Sequence, residues 1–410
     1  MWAQRDKMPS IHSINKYRLS FFILLVIPLS GLSIDIYIPS LPAISDYFNV
    51  KNTMSQLTIS LYMLGLGVMQ LFGGGISDSF GRRKPFILAM LVYIMVTLLI
   101  PLSPDIHYLL FLRLIQGMAI AVVLVPMRSV ILDLFEGEGD ELKKMTNYMT
   151  IAWSIGPIIA PAIGGYLQHY FGWAANFYFL AIYSGVIFLI LLFYLPETSS
   201  HRYSFHAGDL LKRYLSFLLN PRYTLGMLMG ALIYSFIILF SVVGPFIIQT
   251  ELHYSAIQFG HIALWMGAAF CLGAITNRFL IQVELSLKAK ICFWVMLIVT
   301  TVMLLISFFK PLSITNLVLS VAAIIWLGGV LFPNYFIRSV SLFPETTGSA
   351  NALFGAGLFL IPSLSSGVGA LLKSNTELPL AVAYTSLALL CLIIYYIDLF
   401  YDKRSPLKKV

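Results

Sequence analysis

Charge is scarce in this 410-residue chain: Asp, Glu, Lys and Arg make up 11% of it, against roughly a quarter in a soluble domain. That scarcity excludes an ordinary water-soluble protein. Cysteine is nearly absent, with Cys271, Cys292 and Cys391 all inside apolar segments. An odd count without metal-ligand spacing excludes a disulfide framework and a zinc site, and reads as buried packing. His201 and His206 share a loop without partners at ligand spacing, and Glu136, Glu138, Asp140 and Glu141 read as a solvated loop. No metal or other cofactor is therefore expected. No Gly-x-x-x-x-Gly-Lys-Ser/Thr run occurs, since Gly73-Gly74-Gly75 leads into Ile76-Ser77, so ATP-driven work is excluded. Nor is any polar stretch long enough to hold an enzyme's soluble domain.

What the chain has in quantity is apolar sequence, 59% of its residues, with a mean hydropathy of +0.86. About 20 apolar residues cross the roughly 30 Å hydrocarbon core as a helix, and lipid admits only helices or closed barrels. Runs between polar breaks predict helices at 18–38, 53–75, 85–103, 108–131, 145–168 and 173–195, then at 222–249, 256–281, 289–309, 314–341, 346–372 and 378–400. The expected fold is an all-α membrane protein of twelve spans, surrounded by a lipid bilayer. The first run follows Lys16 and Arg18 as a signal peptide would, but no small-residue cleavage site follows, so it is expected to be the first span.

The formal net charge of +8 raises nucleic acid as a partner, and the placement of the basic residues decides against it. With the N-terminus in the cytoplasm, only Lys51, Lys310 and Lys373 of the 26 Lys and Arg fall on the far side, and Arg113 lies within a span. The rest are cytoplasmic, which is the positive-inside pattern. An even number of spans then predicts an inner-membrane protein with both termini in the cytoplasm. A polar stretch over 196–221, with Arg202, Asp209, Lys212 and Arg213, divides the chain into an expected six-helix bundle over 1–195 and a second over 222–410. Gly74 lies four residues before Asp78 at the end of the second segment, as Gly273 lies four before Asn277 at the end of the eighth. This is a trace of the internal repeats from which transporters are built.

The short run Gly74-Gly75-Ile76-Ser77-Asp78-Ser79-Phe80-Gly81-Arg82-Arg83-Lys84 joins the second and third segments. Here the chain resembles the major facilitator superfamily, whose signature at this loop is Gly-x-Leu-Ala-Asp-Arg-x-Gly-Arg-Lys. In the fourth segment, Leu109, Arg113, Gln116 and Gly117 fit the pattern Leu-x-x-x-Arg-x-x-Gln-Gly of that family's drug:proton antiporter group. In the fifth, Gly156, Pro161, Gly164 and Gly165 fit its antiporter pattern, with Ala160 and Asn147 standing where the fuller pattern has glycines. Asp35-Ile36-Tyr37-Ile38-Pro39, Pro196-Glu197-Thr198, and Gly244 to Gln249 leading into Tyr254-Ser255 resemble the Bcr/CflA-type multidrug efflux transporters. The resemblance implies a major facilitator fold and proton-coupled export of drugs or similar metabolites.

Residue chemistry supplies its own expectations. The loop at Asp78, with Gly74, Gly81, Arg82 and Arg83, is expected to gate by binding the other half in one conformation. Asp78 would lie near the N-terminus of the eleventh helix, around Thr346 to Ser349, where the dipole favours it, and Arg82 or Arg83 would pair with Asp133. Asp35 is the only acidic residue well inside a helix of the first half, and a charge in a span costs at least about 2.5–3.5 kcal/mol, so it is expected to have a function. Asp35 and Arg113 share a depth and are expected to pair, Asp35 carrying the proton and Arg113 positioning it.

The first, fourth, seventh and tenth helices are expected to line the path. Asp35, Arg113, Gln116, Tyr234, Phe236, Phe240, Gln249, Phe332, Asn334 and Tyr335 are the candidate substrate contacts. No second acidic residue lies deeper in the first helix, where Val26, Ile27, Pro28 and Leu29 stand, and with Arg113 and Arg128 an anionic or zwitterionic substrate such as a polycarboxylate is as reasonable as a cationic drug. The reading is a monomeric, proton-coupled exporter of small organic molecules; the alternative is a siderophore or metabolite transporter of the same fold, either exporter or importer.

Overall fold

A computed structural model describes residues 15–199, 207–309, 312–371 and 376–404. Lys310 and Lys373, two of the three basic residues expected on the far side, lie outside the described residues, as do His201, Arg202 and His206. Without water to satisfy the backbone, each apolar run closes its own hydrogen bonds as a helix. Twelve helices among the described residues are long and apolar enough to cross a membrane. They are α1 (Lys16–Tyr47), α2 (Asn52–Phe80), α3 (Arg83–Leu102), α4 (Ile106–Leu134), α5 (Gly139–Phe171) and α6 (Ala174–Tyr194). The helix α7 (Ala207–Leu218) falls in the stretch read from sequence as a polar linker. Then follow α8 (Pro221–Glu251), α9 (Ala256–Phe279), α10 (Leu285–Phe309), α11 (Ile314–Val340), α12 (Thr347–Ala370) and α13 (Leu378–Tyr401).

The two six-helix bundles meet along two seams, α2 against α12 and α5 against α9. Proline sets the local irregularities that matter at those seams. Pro28 separates Lys16–Val26 from Leu29–Asp35 within α1, and Pro39 forces a tighter turn at Ile38–Ser40, because proline lacks the N–H that a continuous helix needs. Past Pro245, α8 widens into a π-helical turn over Phe246–Glu251. Backbone carbonyls freed by these breaks are met by side chains from other helices. Gln249 Nε2 donates to the Pro39 carbonyl at 3.0 Å.

One end of the bundle carries the α2–α3 and α4–α5 connections and most of the described basic residues; we call it the basic face. At the opposite end α2 is tied to the second bundle by polar contacts. Gln56 Nε2 donates to the Val242 carbonyl at 3.0 Å, Ser60 and Ser366 hydroxyls meet at 2.7 Å, and Ser363 donates to the Ser60 carbonyl at 2.7 Å.

Candidate functional site

Asp35 ends the second piece of the broken α1. It is 5% exposed, and its Oδ2 atom has no hydrogen-bond partner. It lines a cavity of about 100 Å³ enclosed by α1, α5, α8, α9 and α11. That is room for several waters and less than the about 300–1,000 Å³ of clefts holding drug-sized ligands, so such a ligand requires the flanking helices to part. Asp35 is the only charged residue in the lining. Ser154, Tyr234 and Ser241 are the hydroxyl-bearing members, and Trp153, Phe240, Met266, Phe270 and Phe332 form much of the apolar wall.

Arg113 does not pair with Asp35. It is fully buried between the rings of Tyr37 and Tyr62, whose centroids lie 4.4 and 4.2 Å from its guanidinium carbon. Its Nη2 donates to the Ser33 carbonyl at 3.0 Å and its Nη1 to Gln116 Oε1. Gln116 in turn donates to Thr97 Oγ1 at 2.7 Å. Arg113 meets α1 at Ser33, two residues before Asp35. At 100° per residue, positions 33 and 35 point to opposite sides of a helix.

Of the aromatic candidates, Tyr234, Phe240 and Phe332 line the cavity. Phe236, two residues from Tyr234, turns away to Tyr384 at a centroid distance of 5.2 Å. Tyr335 is buried beside Phe293 on the far side of α11. Gln116 belongs to the Arg113 network, and Gln249 holds the seam. Asn334 also leaves the list, because its Oδ1 accepts from Lys288 Nζ at 2.9 Å and its Nδ2 donates to Asn277 Oδ1 at 2.9 Å. Helices α1, α8 and α11 line the cavity as expected of the first, seventh and tenth, but α4 contributes no lining residue, and α5 and α9 do.

The glycines of α5 explain its place in the wall. A Cβ at Gly156 would lie 2.9 Å from the Pro28 carbonyl, and one at Gly164 would overlap that of Ile36, so their absence lets α5 rest on the broken backbone of α1. Gly165 meets the Ala256 carbonyl of α9 in the same way, and Pro161 lines the cavity itself. Toward the basic face, Thr146, Thr150 and Ser154 follow one side of α5 into the cavity, each hydroxyl held by the carbonyl four residues back at 2.9 to 3.0 Å. Trp153 and Ser154 were not singled out in the sequence; their spacing from Pro157 and Pro161 on one face of an amphipathic α5 was the available signal.

At the basic face Arg82 is the centre of a cluster. Its Nη1 donates to Asp78 Oδ1 at 2.6 Å and Ser77 Oγ at 2.8 Å, and its Nε lies 3.3 Å from Asp133 Oδ2. Arg83 instead donates to the Leu192 carbonyl at 2.9 Å. No bond joins Asp78 to Thr346–Ser349 among the described residues; Asp78 is half-exposed and engaged by Arg82, while Ser349 Oγ accepts from Arg213 at 3.2 Å. Gly81 has φ +87°, and a Cβ there would collide with the Glu197 carboxylate. Gly74 meets nothing within 4 Å, so its small size is not required in this conformation.

Glu197 was a motif residue without a physical reading: its Oε1 accepts from the Arg82 amide at 2.8 Å and its Oε2 from that of Arg83 at 3.3 Å, capping α3. Thr198 Oγ1 donates to Asp133 Oδ2 at 2.7 Å. The second bundle repeats the plan with α9, α10 and α11, where Asn277, Lys288 and Asn334 stand for Asp78, Arg82 and Asp133. Lys288 is 5% exposed and donates to Asn277 Oδ1 at 3.0 Å.

The model of the Major Facilitator Superfamily matches residues 23–365. Among similar proteins is the bicyclomycin resistance protein homolog of Haemophilus influenzae, 24% identical across 93% of this chain and 97% of that one. Another is multidrug resistance protein D of Escherichia coli, 25% identical across 92% and 94%. Among solved structures, a D-xylose-proton symporter superposes with a TM-score of 0.73 at 14% identity, covering 92% of this chain and 97% of that one. At that identity the likeness is one of fold.

Proposed function

This chain belongs to the Major Facilitator Superfamily, and on that premise we propose that it exchanges protons for small organic molecules, exporting them across the inner membrane. One observation carries the reading: the Asp35 carboxylate, with a free oxygen, is the only charged group in a cavity otherwise walled by aromatic and aliphatic side chains. Protonation neutralises that carboxylate, so a substrate held by its charge or its free oxygen competes with the proton for one group, and that competition is what antiport needs. Relatives named for bicyclomycin and multidrug resistance support drug-like cargo.

Both termini are cytoplasmic in this reading, and the conformation faces inward: on the far side α2 is bonded to the second bundle while the hydroxyls of Thr146, Thr150 and Ser154 lead from the basic face to the cavity. Residues 1–195 and 222–410 are the units that rock about the site. Arg113 holds the broken α1 by the Ser33 carbonyl and so aims Asp35. The Asp78–Arg82–Asp133 cluster makes its bonds within its own bundle in this state and exchanges them across the seam in the other. One proton crossing 100 mV contributes about 2.3 kcal/mol, enough for roughly a 50-fold substrate gradient. Because neither Arg113 nor Arg128 lines the cavity and Asp35 does, it suits neutral or cationic lipophilic compounds better than polycarboxylates.

The test is proton release from purified protein as neutral, cationic and polycarboxylate compounds are added in turn. Release by the first two sets, lost in Asp35→Asn, is expected. Release by polycarboxylates alone, or release that survives Asp35→Asn, overturns the assignment.

A further inference from the structure

The helix α7 has more apolar surface than the protein covers. Leu210, Tyr214 and Phe217 share one side, and Leu211, Leu215 and Leu218 lie about 100° around from them. Asp209, Lys212, Arg213 and Ser216 complete the circle as its polar side. The first arc is buried: Tyr214 and Phe217 pack with Tyr223, Ala350, Leu353 and Phe354. The second is bare, with Leu211 58%, Leu215 48%, Leu218 39% and the following Leu219 81% exposed.

Its position gives that bare arc a neighbour. Three residues after Leu218 the chain enters the span α8 at Pro221, and Tyr214 meets α2 at Leu71, next to Phe72, which is 38% exposed, so the leucines lie at the membrane end of the spans beside exposed apolar side chains. The helix bridges the halves. Tyr214 Oη donates to the Leu71 carbonyl of α2 at 2.8 Å, while Arg213 reaches Ser349 of α12 at 3.2 Å. An amphipathic helix with leucines on one side and basic residues opposite suits the boundary between acyl chains and phosphates.

We propose that α7 is seated in the phospholipid leaflet at the basic face, with its leucine arc among the acyl chains and Lys212 and Arg213 at the phosphates. It thereby fastens the bilayer to the α2–α12 seam. Any motion that parts the two bundles there has to slide or lift α7, so the charge of the leaflet biases transport. This inference does not depend on the substrate or on Asp35.

A nitroxide scan of the full chain in phosphatidylcholine liposomes tests it, using Leu211→Cys, Lys212→Cys, Leu215→Cys and Ser216→Cys, with unmutated protein labelled in parallel to subtract signal from the native cysteines. The ratio of collisions with oxygen to collisions with a water-soluble nickel chelate should be about fivefold higher at 211 and 215 than at 212 and 216. Nickel reaching all four equally, or neither reagent reaching 211 and 215, overturns the proposal; the second pattern means that protein covers the arc. Replacing roughly a third of the lipid with phosphatidylglycerol should raise the contrast further, and glycerol phosphate in solution should not. An equal response to the soluble phosphate would make this an anion site and not a lipid contact, and would also overturn it.

Discussion

The guanidinium of Arg113 donates to the backbone carbonyl of Ser33 at 3.0 Å. This buried cation is thus spent on a carbonyl that the break in α1 leaves available, on the side of the helix away from the carboxylate. Asp35 is left to the cavity, and the separate tasks of the two residues make separate predictions.

Replacing Asp35 by Asn should reduce proton-driven export in proteoliposomes on the order of 10²-fold, the size of effect that follows removal of a working acid–base group. Thermal stability should hold or rise, because the substitution removes a buried charge without a partner. A melting temperature that collapses with activity would mean that Asp35 is structural.

Arg113→Gln should instead act first on folding. Removing the guanidinium strands the Ser33 carbonyl and Gln116 Oε1, each at about 1–3 kcal/mol. Arg113→Lys should recover only part of the loss, since an ammonium has neither the fork nor the flat face that fits between Tyr37 and Tyr62. Melting of the detergent-solubilised variants measures this; equal stability for Lys and Arg would show that charge alone matters.

Glu197→Ala should weaken the start of α3 by about 1 kcal/mol, the usual worth of a helix cap. Amides of Arg82 and Arg83 should then exchange hydrogen faster, while Glu197→Gln should keep much of the protection. Unchanged exchange in the Ala variant would remove Glu197 from the loop's support.

Glu377, between α12 and α13, predicts a pH dependence of stability. It is 2% exposed and its Oε2 lacks a partner; burial holds its carboxyl above the ordinary value of 4.5, and the amide of Asn316, donating to Oε1 at 3.1 Å, opposes this. The folded state therefore binds this proton more tightly than the unfolded state. Its contribution is fully present below the ordinary carboxylate range and is lost as pH rises through 4.5 toward the higher folded value. Glu377→Gln should flatten that decline, read as melting temperature against pH from about 4.5 upward. Parallel curves for the two proteins would count against the assignment.

Much of the site was legible in the sequence one residue at a time. A lone Asp within an apolar run points to a function because lipid makes it costly, and charges at two helix ends offered Arg82 or Arg83 to Asp133, a choice that the fold makes in favour of Arg82. What the sequence withheld was facing. Whether position 33 or 35 meets α4 depends on where Pro28 redirects α1, and Phe236 differs from Tyr234 only in which side of α8 it occupies. Glu197 lies more than a hundred residues from the amides it caps, and no local pattern marks that contact.

The twelve spans, the excess of basic residues on one side and the two charged loops follow from the sequence by itself, because hydrophobic length and charge act on each segment separately. Tertiary structure alone decided that Arg113 serves the backbone of α1, that α5 and α9 wall the cavity in place of α4, and that α7 bridges the seam with half its apolar surface bare. Those outcomes depend on how helices are rotated and broken against one another, where glycines admit close approach and freed carbonyls select their donors.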